Sequence, residues 1–160
     1  MNIFFINQVG TYNYLYQYLK YCSNKKKKFK IYFSEKFKKI NFPKKSFLKI
    51  QFIKTDKNII RKTISKFKPK KIILSSSGNS ILEKNVILVA RQNNIQTFSI
   101  IDTWDNLKMR FKYENKYFLP NNIMCIDSYS KKKIKKIFTK TRVIKIGQPY
   151  LEEILIKGNL

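Results

Sequence analysis

Lys71-Ile72-Ile73-Leu74-Ser75-Ser76-Ser77-Gly78-Asn79-Ser80-Ile81-Leu82-Glu83 contains the repeating unit of the whole chain. Its first four residues form a short apolar run without polar alternation, the signature of a strand buried on both faces. A polar turn, Ser75–Asn79, follows. Ser80 and Glu83 are then spaced as a capping box, and Leu82, Val86 and Val89 recur at helical intervals. Asn93-Asn94 closes that helix, and Thr97–Ile101 reads as the next strand. A strand, an amphipathic helix and a second strand in this order make a parallel crossover unit.

The same grammar extends in both directions. Upstream, Ile3–Ile6 is an apolar run stopped near Gly10 and Thr11, and Tyr12, Leu15, Leu19 and Cys22 predict a helix over about 11–22. After the basic loop Lys25–Lys28 come the strand Phe29–Phe33 and a strand-like piece, Phe47–Phe52, within Pro43–Lys54. Asp56 is placed to cap a helix bearing Ile60, Ile64 and Phe67, which Pro69 ends. Downstream, Ile123–Ile126 ends at Asp127-Ser128. A lysine-rich helix with Ile134, Ile137 and Phe138 inward follows, then Arg142–Ile146, Gly147-Gln148-Pro149-Tyr150 and a helical tail.

Strands alternating with such helices predict an α/β, Rossmann-like fold. The expected form is a single three-layer domain over 1–160, with a mostly parallel sheet of about six or seven strands flanked by helices. Residues 151–160 read as a helical tail or the start of a second domain.

Ligands of parallel sheets bind outside the carboxyl ends of the strands. Here those positions are Gly10 and Thr11; Ser77, Gly78 and Asn79; Asp102, Trp104, Asn106 and Arg110; Asp127; and Gly147 and Gln148. The turn Ser77-Gly78-Asn79 feeds a helix N-terminus, whose free amides favour a phosphate or carboxylate; its plainer reading is a capped turn. Asp102–Phe111 is the densest polar cluster and holds the sole tryptophan. A strand-end carboxylate orients a hydroxyl or accepts a proton, an indole offers a flat face to a sugar, and Arg110 suits a phosphate. The competing reading makes Trp104 core and Asp102 a helix cap.

Composition excludes several classes. With no histidine, imidazole catalysis and histidine–metal sites are ruled out. Cys22 and Cys125 stand far apart without a CxxC pattern, so they read as buried small residues rather than a zinc or disulfide framework. Neither GxGxxG nor a P-loop occurs, and no cofactor or metal is expected. The start of the chain lacks the basic region and cleavage site of a signal peptide, and no apolar run is long enough to span a bilayer. A cytoplasmic protein is expected, with the anionic inner membrane face open to it as a peripheral contact.

The net charge of +26 invites a nucleic-acid reading, but 31 of the 35 basic residues are lysine and only Arg61, Arg91, Arg110 and Arg142 are arginine. Recognition of phosphates and bases favours the guanidinium fork. One alanine, four glycines and abundant Ile, Asn, Phe, Tyr and Lys are what an AT-rich genome encodes. The runs Lys25–Lys28 and Lys131–Lys136 read as solvated faces suited to non-specific contact with RNA or an anionic membrane.

From Lys71 to Tyr150 the motif order resembles the N-terminal half of a two-domain, glycosyltransferase-B-like family of bacterial surface-polysaccharide proteins. Its relatives include the non-hydrolysing UDP-N-acetylglucosamine 2-epimerases and wall-polymer glycerophosphotransferases. The matching pieces are Ser77-Gly78 opening a helix with Glu83, then Ala90-Arg91, Ile101–Asn106, Arg110-Phe111, Leu119-Pro120-Asn121, Ile126-Asp127 and Gly147–Tyr150. The resemblance implies a sugar or phosphorylated acceptor in the crevice, with hydroxyls on Asp102 and Asn106, stacking on Trp104, and an anion held by Ser77-Gly78-Asn79 and Arg110. It also implies a second domain carrying most sugar-nucleotide contacts. This chain stops ten residues after Tyr150, so the expectation is a stand-alone or split half with a separate protein as second domain and catalysis left open. A rival likeness is to the second family of small-subunit ribosomal proteins, which also place Ile-Asp-Thr at a strand end. That reading gives a structural protein contacting rRNA through lysines, but Trp104-Asp105-Asn106 departs from its pattern.

Overall fold

The computed structural model describes residues 1–39, 48–78 and 80–149, together with Glu152 and Leu155. Asn79, Phe47 and most of the expected C-terminal tail, including Tyr150, lie outside the described residues.

Seven parallel strands form the main sheet: β1 (Asn2–Ile6), β2 (Phe29–Ser34), β3 (Ile50–Ile53), β4 (Lys71–Leu74), β5 (Gln96–Ile101), β8 (Asn122–Cys125) and β9 (Arg142–Lys145). Two further strands, β6 (Lys112–Tyr113) and β7 (Lys116–Tyr117), make a separate antiparallel hairpin. The sheet order is β3-β2-β1-β4-β5-β8-β9. Chain direction across the sheet reverses at β1, so the β1/β4 boundary is the switch point where the crevice opens. Register is continuous through it: Phe4 lies beside Ile31 of β2 and Ile73 of β4, and Ile73 beside Phe98 of β5.

Alternating side chains give the sheet two apolar faces, which makes the domain three-layered. On one face, Phe4, Ile6, Ile31, Phe33, Ile73 and Ile100 meet Tyr12, Leu15 and Leu19 of α1 (Val9–Asn24). On the other, Ile3, Phe5, Ile72 and Leu74 meet Ile60 and Ile64 of α2 (Lys57–Phe67) and Leu82, Val86 and Val89 of α3 (Ile81–Gln92). Beyond them Ile101, Ile123 and Cys125 pack on Ile134 of α4 (Ser128–Ile137), with Phe111 and Phe138 edge-on at 5.5 Å. Both cysteines are buried and unpaired. The lysines of 25–28 are exposed, as are Lys132, Lys133, Lys135 and Lys136 on α4. No helix among the described residues is long and apolar enough to cross a membrane.

Local chemistry explains the boundaries. Asp56 Oδ1 accepts from the amides of Asn58 and Ile59 at 2.8 and 2.9 Å, and α2 stops where Lys68 turns left-handed (φ 41°) before Pro69. The expected start of α1 near Thr11 is corrected to Val9, so Gly10 and Thr11 are helical. The hairpin was not expected from the sequence. Its turn, Glu114-Asn115, has φ of 44° and 61°, the double left-handed turn that matches strand twist. Asn115 was the available signal, but two-residue strands carry no periodicity.

Because both of its first-turn bonds come from one carboxylate, Asp56→Ala is expected to lower stability by about 1 kcal/mol in urea unfolding, with an unchanged far-ultraviolet spectrum.

Candidate functional site

The site begins with the turn that ends β4. Ser75 Oγ accepts the Asn7 amide at 2.8 Å and donates to Glu83 Oε1 at 2.8 Å, and Ser76 Oγ donates to the Ile100 carbonyl at 2.6 Å. The turns after β1 and β4 and the end of β5 are thereby stitched together. Ser80 Oγ caps α3 through the Leu82 amide. Glu83, expected to complete a capping box with Ser80, instead turns inward, where its side chain accepts from Ser75 and is almost wholly buried. Burial pushes the Glu83 carboxyl above the usual carboxylate range, against the lowering effect of hydrogen bonds from Ser80 and Ser75 and of the Lys84 charge.

Lys84 is one of 31 lysines, yet only 2% of its surface is exposed. Its ammonium donates to the carbonyls of Ser77, Gly78 and Arg110, joining the β4–α3 turn to the segment after β5. Desolvation pulls its pKa down and Glu83 pushes it back. A signal did exist: a cation in the first helical turn is opposed by the helix dipole and needs other partners.

Arg110 binds the same two segments from the other side. Nη1 donates to the Ser76 carbonyl at 2.8 Å and faces Asp102 Oδ1 at 3.5 Å; Nη2 donates to Thr103 Oγ1 at 2.6 Å; Nε donates to the Asp105 carbonyl at 3.2 Å. Both partners of the Arg110–Asp102 pair have side chains only 11% exposed. Asp102 Oδ2 in turn accepts from Thr11 Oγ1 at 3.4 Å and lies 2.8 Å from where a Cβ on Gly10 would stand. Glycine at 10 is thus required by close approach of the carboxylate. Gly78 is similarly pressed on the Met109 carbonyl, which would sit 3.0 Å from an added Cβ.

These ties wall a cavity of about 380 Å³ lined by Gln8, Ser77, Gly78, Asn106, Met109 and Arg110. Four of the residues expected at the site, Ser77, Gly78, Asn106 and Arg110, therefore meet in one place, with Asp102, Gly10 and Thr11 immediately behind them. Gln8 and Met109 were not expected. Trp104 stands in the adjoining cleft of about 490 Å³ with Lys108, Lys133 and Lys136, and Asn106 and Met109 line both. Its indole is 47% exposed and donates Nε1–H to Asp127 Oδ2 at 2.8 Å. Asp127 also caps α4 by accepting the Ser130 amide at 2.6 Å, and that bond is the chief reason its carboxyl sits below the usual range. Gly147 and Gln148 do not line these clefts. Gly147 instead accepts a hydrogen bond from the Tyr14 hydroxyl through its carbonyl, and its φ of 81° is the left-handed conformation glycine tolerates.

Two stability measurements probe this wiring. Arg110→Met leaves Asp102 buried without its partner and is expected to cost about 3 kcal/mol; Arg110→Lys retains the charge but not the fork, and should fall between. For Glu83, a raised native pKa means its stability contribution is complete below the unfolded carboxylate value of about 4.3 and is lost as pH rises through the native value. Glu83→Gln should therefore gain on the wild type as pH rises from 4 toward 7, read from urea titrations at each pH.

The chain is similar in structure to the UDP-GlcNAc 2-epimerase from Methanocaldococcus jannaschii, with a TM-score of 0.66 and 13% sequence identity, covering 97% of this chain and 48% of that one. A short-chain dehydrogenase/reductase from Veillonella parvula, in complex with NADP, gives a TM-score of 0.40 at 9% identity over 67% of this chain and 49% of that one. No protein-family model matches, and no curated protein sequence does. At this identity the likeness to the epimerase is one of fold, a Rossmann-like α/β domain, and this chain spans about half the epimerase's length.

Proposed function

We propose that this domain is the N-terminal half of a glycosyltransferase-B-like polysaccharide-biosynthesis protein and binds a sugar or phosphorylated acceptor in the crevice beside β4 and β5. The observation that carries the reading is the convergence of Ser77, Gly78, Asn106 and Arg110 on one cavity at the switch point of the sheet. A guanidinium has five N–H donors. Among the described residues, Arg110 bonds its own chain once through Nε, through Nη1 to the Ser76 carbonyl, Ser76 Oγ and Asp102 Oδ1, and once through Nη2, which leaves one Nη2 hydrogen for an anion. The Ser77 hydroxyl and the Asn106 amide supply neutral donors and acceptors for hydroxyls. Asp102, held by Arg110 and Thr11, serves chiefly to fix the guanidinium, with its charge next to the ligand. Because Asn106 and Met109 belong to both clefts, a ligand seated on Asn106 extends toward the exposed face of Trp104, where a sugar ring stacks.

The fold neighbour is a UDP-GlcNAc 2-epimerase of which this chain covers 48%. That coverage supports a partner domain, in the same or another polypeptide, closing over the crevice.

The test is thermal melting and Trp104 fluorescence with UDP-N-acetylglucosamine and with ribitol 5-phosphate. At least one should raise the melting temperature in step with the logarithm of its concentration and change the tryptophan emission. Ser77→Ala and Asn106→Gly, the latter suited to the left-handed backbone at 106 (φ 54°), should each weaken binding about tenfold with little change in the unliganded protein. Indifference to both ligands, with RNA bound along a steep log–log salt dependence, would replace this reading with an RNA-backbone role for the lysine-rich surface.

A further inference from the structure

A second and larger cleft lies on the opposite side of the same two turns. The Asn7-Gln8 pair divides them, with Gln8 lining the first cavity and Asn7 the second; the β4–α3 turn divides likewise, Ser77-Gly78 facing one and Ser80-Ile81 the other. The second cleft encloses about 780 Å³ between the carboxyl ends of β2 and β3 and the start of α3.

We infer that this cleft is a phosphate-binding site, separate from the crevice that holds Arg110. Asn7 lines the cleft with only 2% of its surface exposed, and its buried Nδ2 has no hydrogen-bond partner among the described residues. An amide N–H2 in that state carries a desolvation cost that an incoming acceptor relieves. The same cleft is lined by Ile81, the first residue of α3, whose amide is one of the N-terminal donors that no carbonyl within a helix satisfies. The helix dipole adds positive potential at the same point. Three lysines from three different segments reach the walls: Lys36 after β2, Lys54 after β3 and Lys57 at the start of α2. Two carboxylates also line the cleft: Glu35 is paired with Lys38 at 2.8 Å, and Asp56 accepts from the amides of α2, so three lysines stand against one carboxylate without an ion-pair partner among the described residues. Asn85 fixes the far wall by donating to the Thr55 carbonyl at 2.8 Å. A buried neutral donor, a helix amide and a ring of lysines together fit the phosphoryl oxygens of a sugar phosphate or a diphosphate.

Calorimetric titration with inorganic pyrophosphate and with glucose 1-phosphate, at about 0.15 M salt to screen diffuse attraction, tests the assignment. At least one should bind. Asn7→Leu should weaken that binding about tenfold, and the surface pair Lys54→Gln/Lys57→Gln, which leaves the core untouched, should weaken it by a similar factor. The control pair Lys132→Gln/Lys135→Gln on α4 should change it less than twofold. Tighter glucose 1-phosphate assigns the phosphate to a sugar; tighter pyrophosphate assigns it to a diphosphate. Absence of binding overturns the site, as does an equal loss in the α4 control or an undiminished affinity in the Lys54/Lys57 variant. Since Ser77 and Asn106 take no part, these outcomes are independent of the sugar reading.

Discussion

Arg110 and Lys84 reach into the same turn from opposite directions, and the shape of the crevice follows from that pairing of cations with carbonyls. The guanidinium links Ser76 after β4 to Asp102 and Thr103 after β5. The ammonium links Ser77 and Gly78 back to Arg110's own carbonyl. Neither cation is free to leave for water without unsatisfying several backbone acceptors at once, a cost of about 1–3 kcal/mol for each. Between β5 and β8 the usual crossover helix is replaced by a short 3-10 turn, Met109–Phe111, and the small hairpin. With so little regular structure there, side-chain ties must hold the segment against the sheet, and Phe111 packed on Phe138 anchors its middle.

Most of the fold was legible because periodicity marks long elements well. The run Lys71–Leu74, the Ser80 cap and the Leu82-Val86-Val89 stripe lie where the sequence places them, as does the Asp56 cap. What escaped was short or disguised. The hairpin offers two residues per strand. Glu83 has capping-box spacing, but the Ser75 hydroxyl beneath it draws the carboxylate inward, a contact eight residues back in sequence that no local rule anticipates. Lys84 was hidden by 30 other lysines.

The site was legible in part for the same reason. Strand ends beside the switch point converge, so Ser77, Gly78, Asn106 and Arg110 share a cavity while Asp102, Gly10 and Thr11 stand behind it. Gly147 and Gln148 also follow a strand, but β9 is the edge, three strands from β4. At about 4.8 Å per step, that puts them well to the side. Trp104, in the adjoining cleft, donates to Asp127, a contact the sequence separates by 23 residues. The +26 charge divides along the same line. Most of it is exposed lysine, whereas Arg110 and Asp102 are largely enclosed and paired with each other.

Amide chemical-shift mapping during titration with ribitol 5-phosphate tests the central claim most directly, because it separates a walled crevice from a diffusely basic surface. The account predicts saturable shifts at the amides of Ser77, Gly78 and Asn106 and at the Trp104 indole, with the amides of the exposed basic loop Lys25–Lys28 unmoved. Small, non-saturating shifts spread across the lysine-bearing helices α2 and α4, with the crevice residues silent, would contradict it.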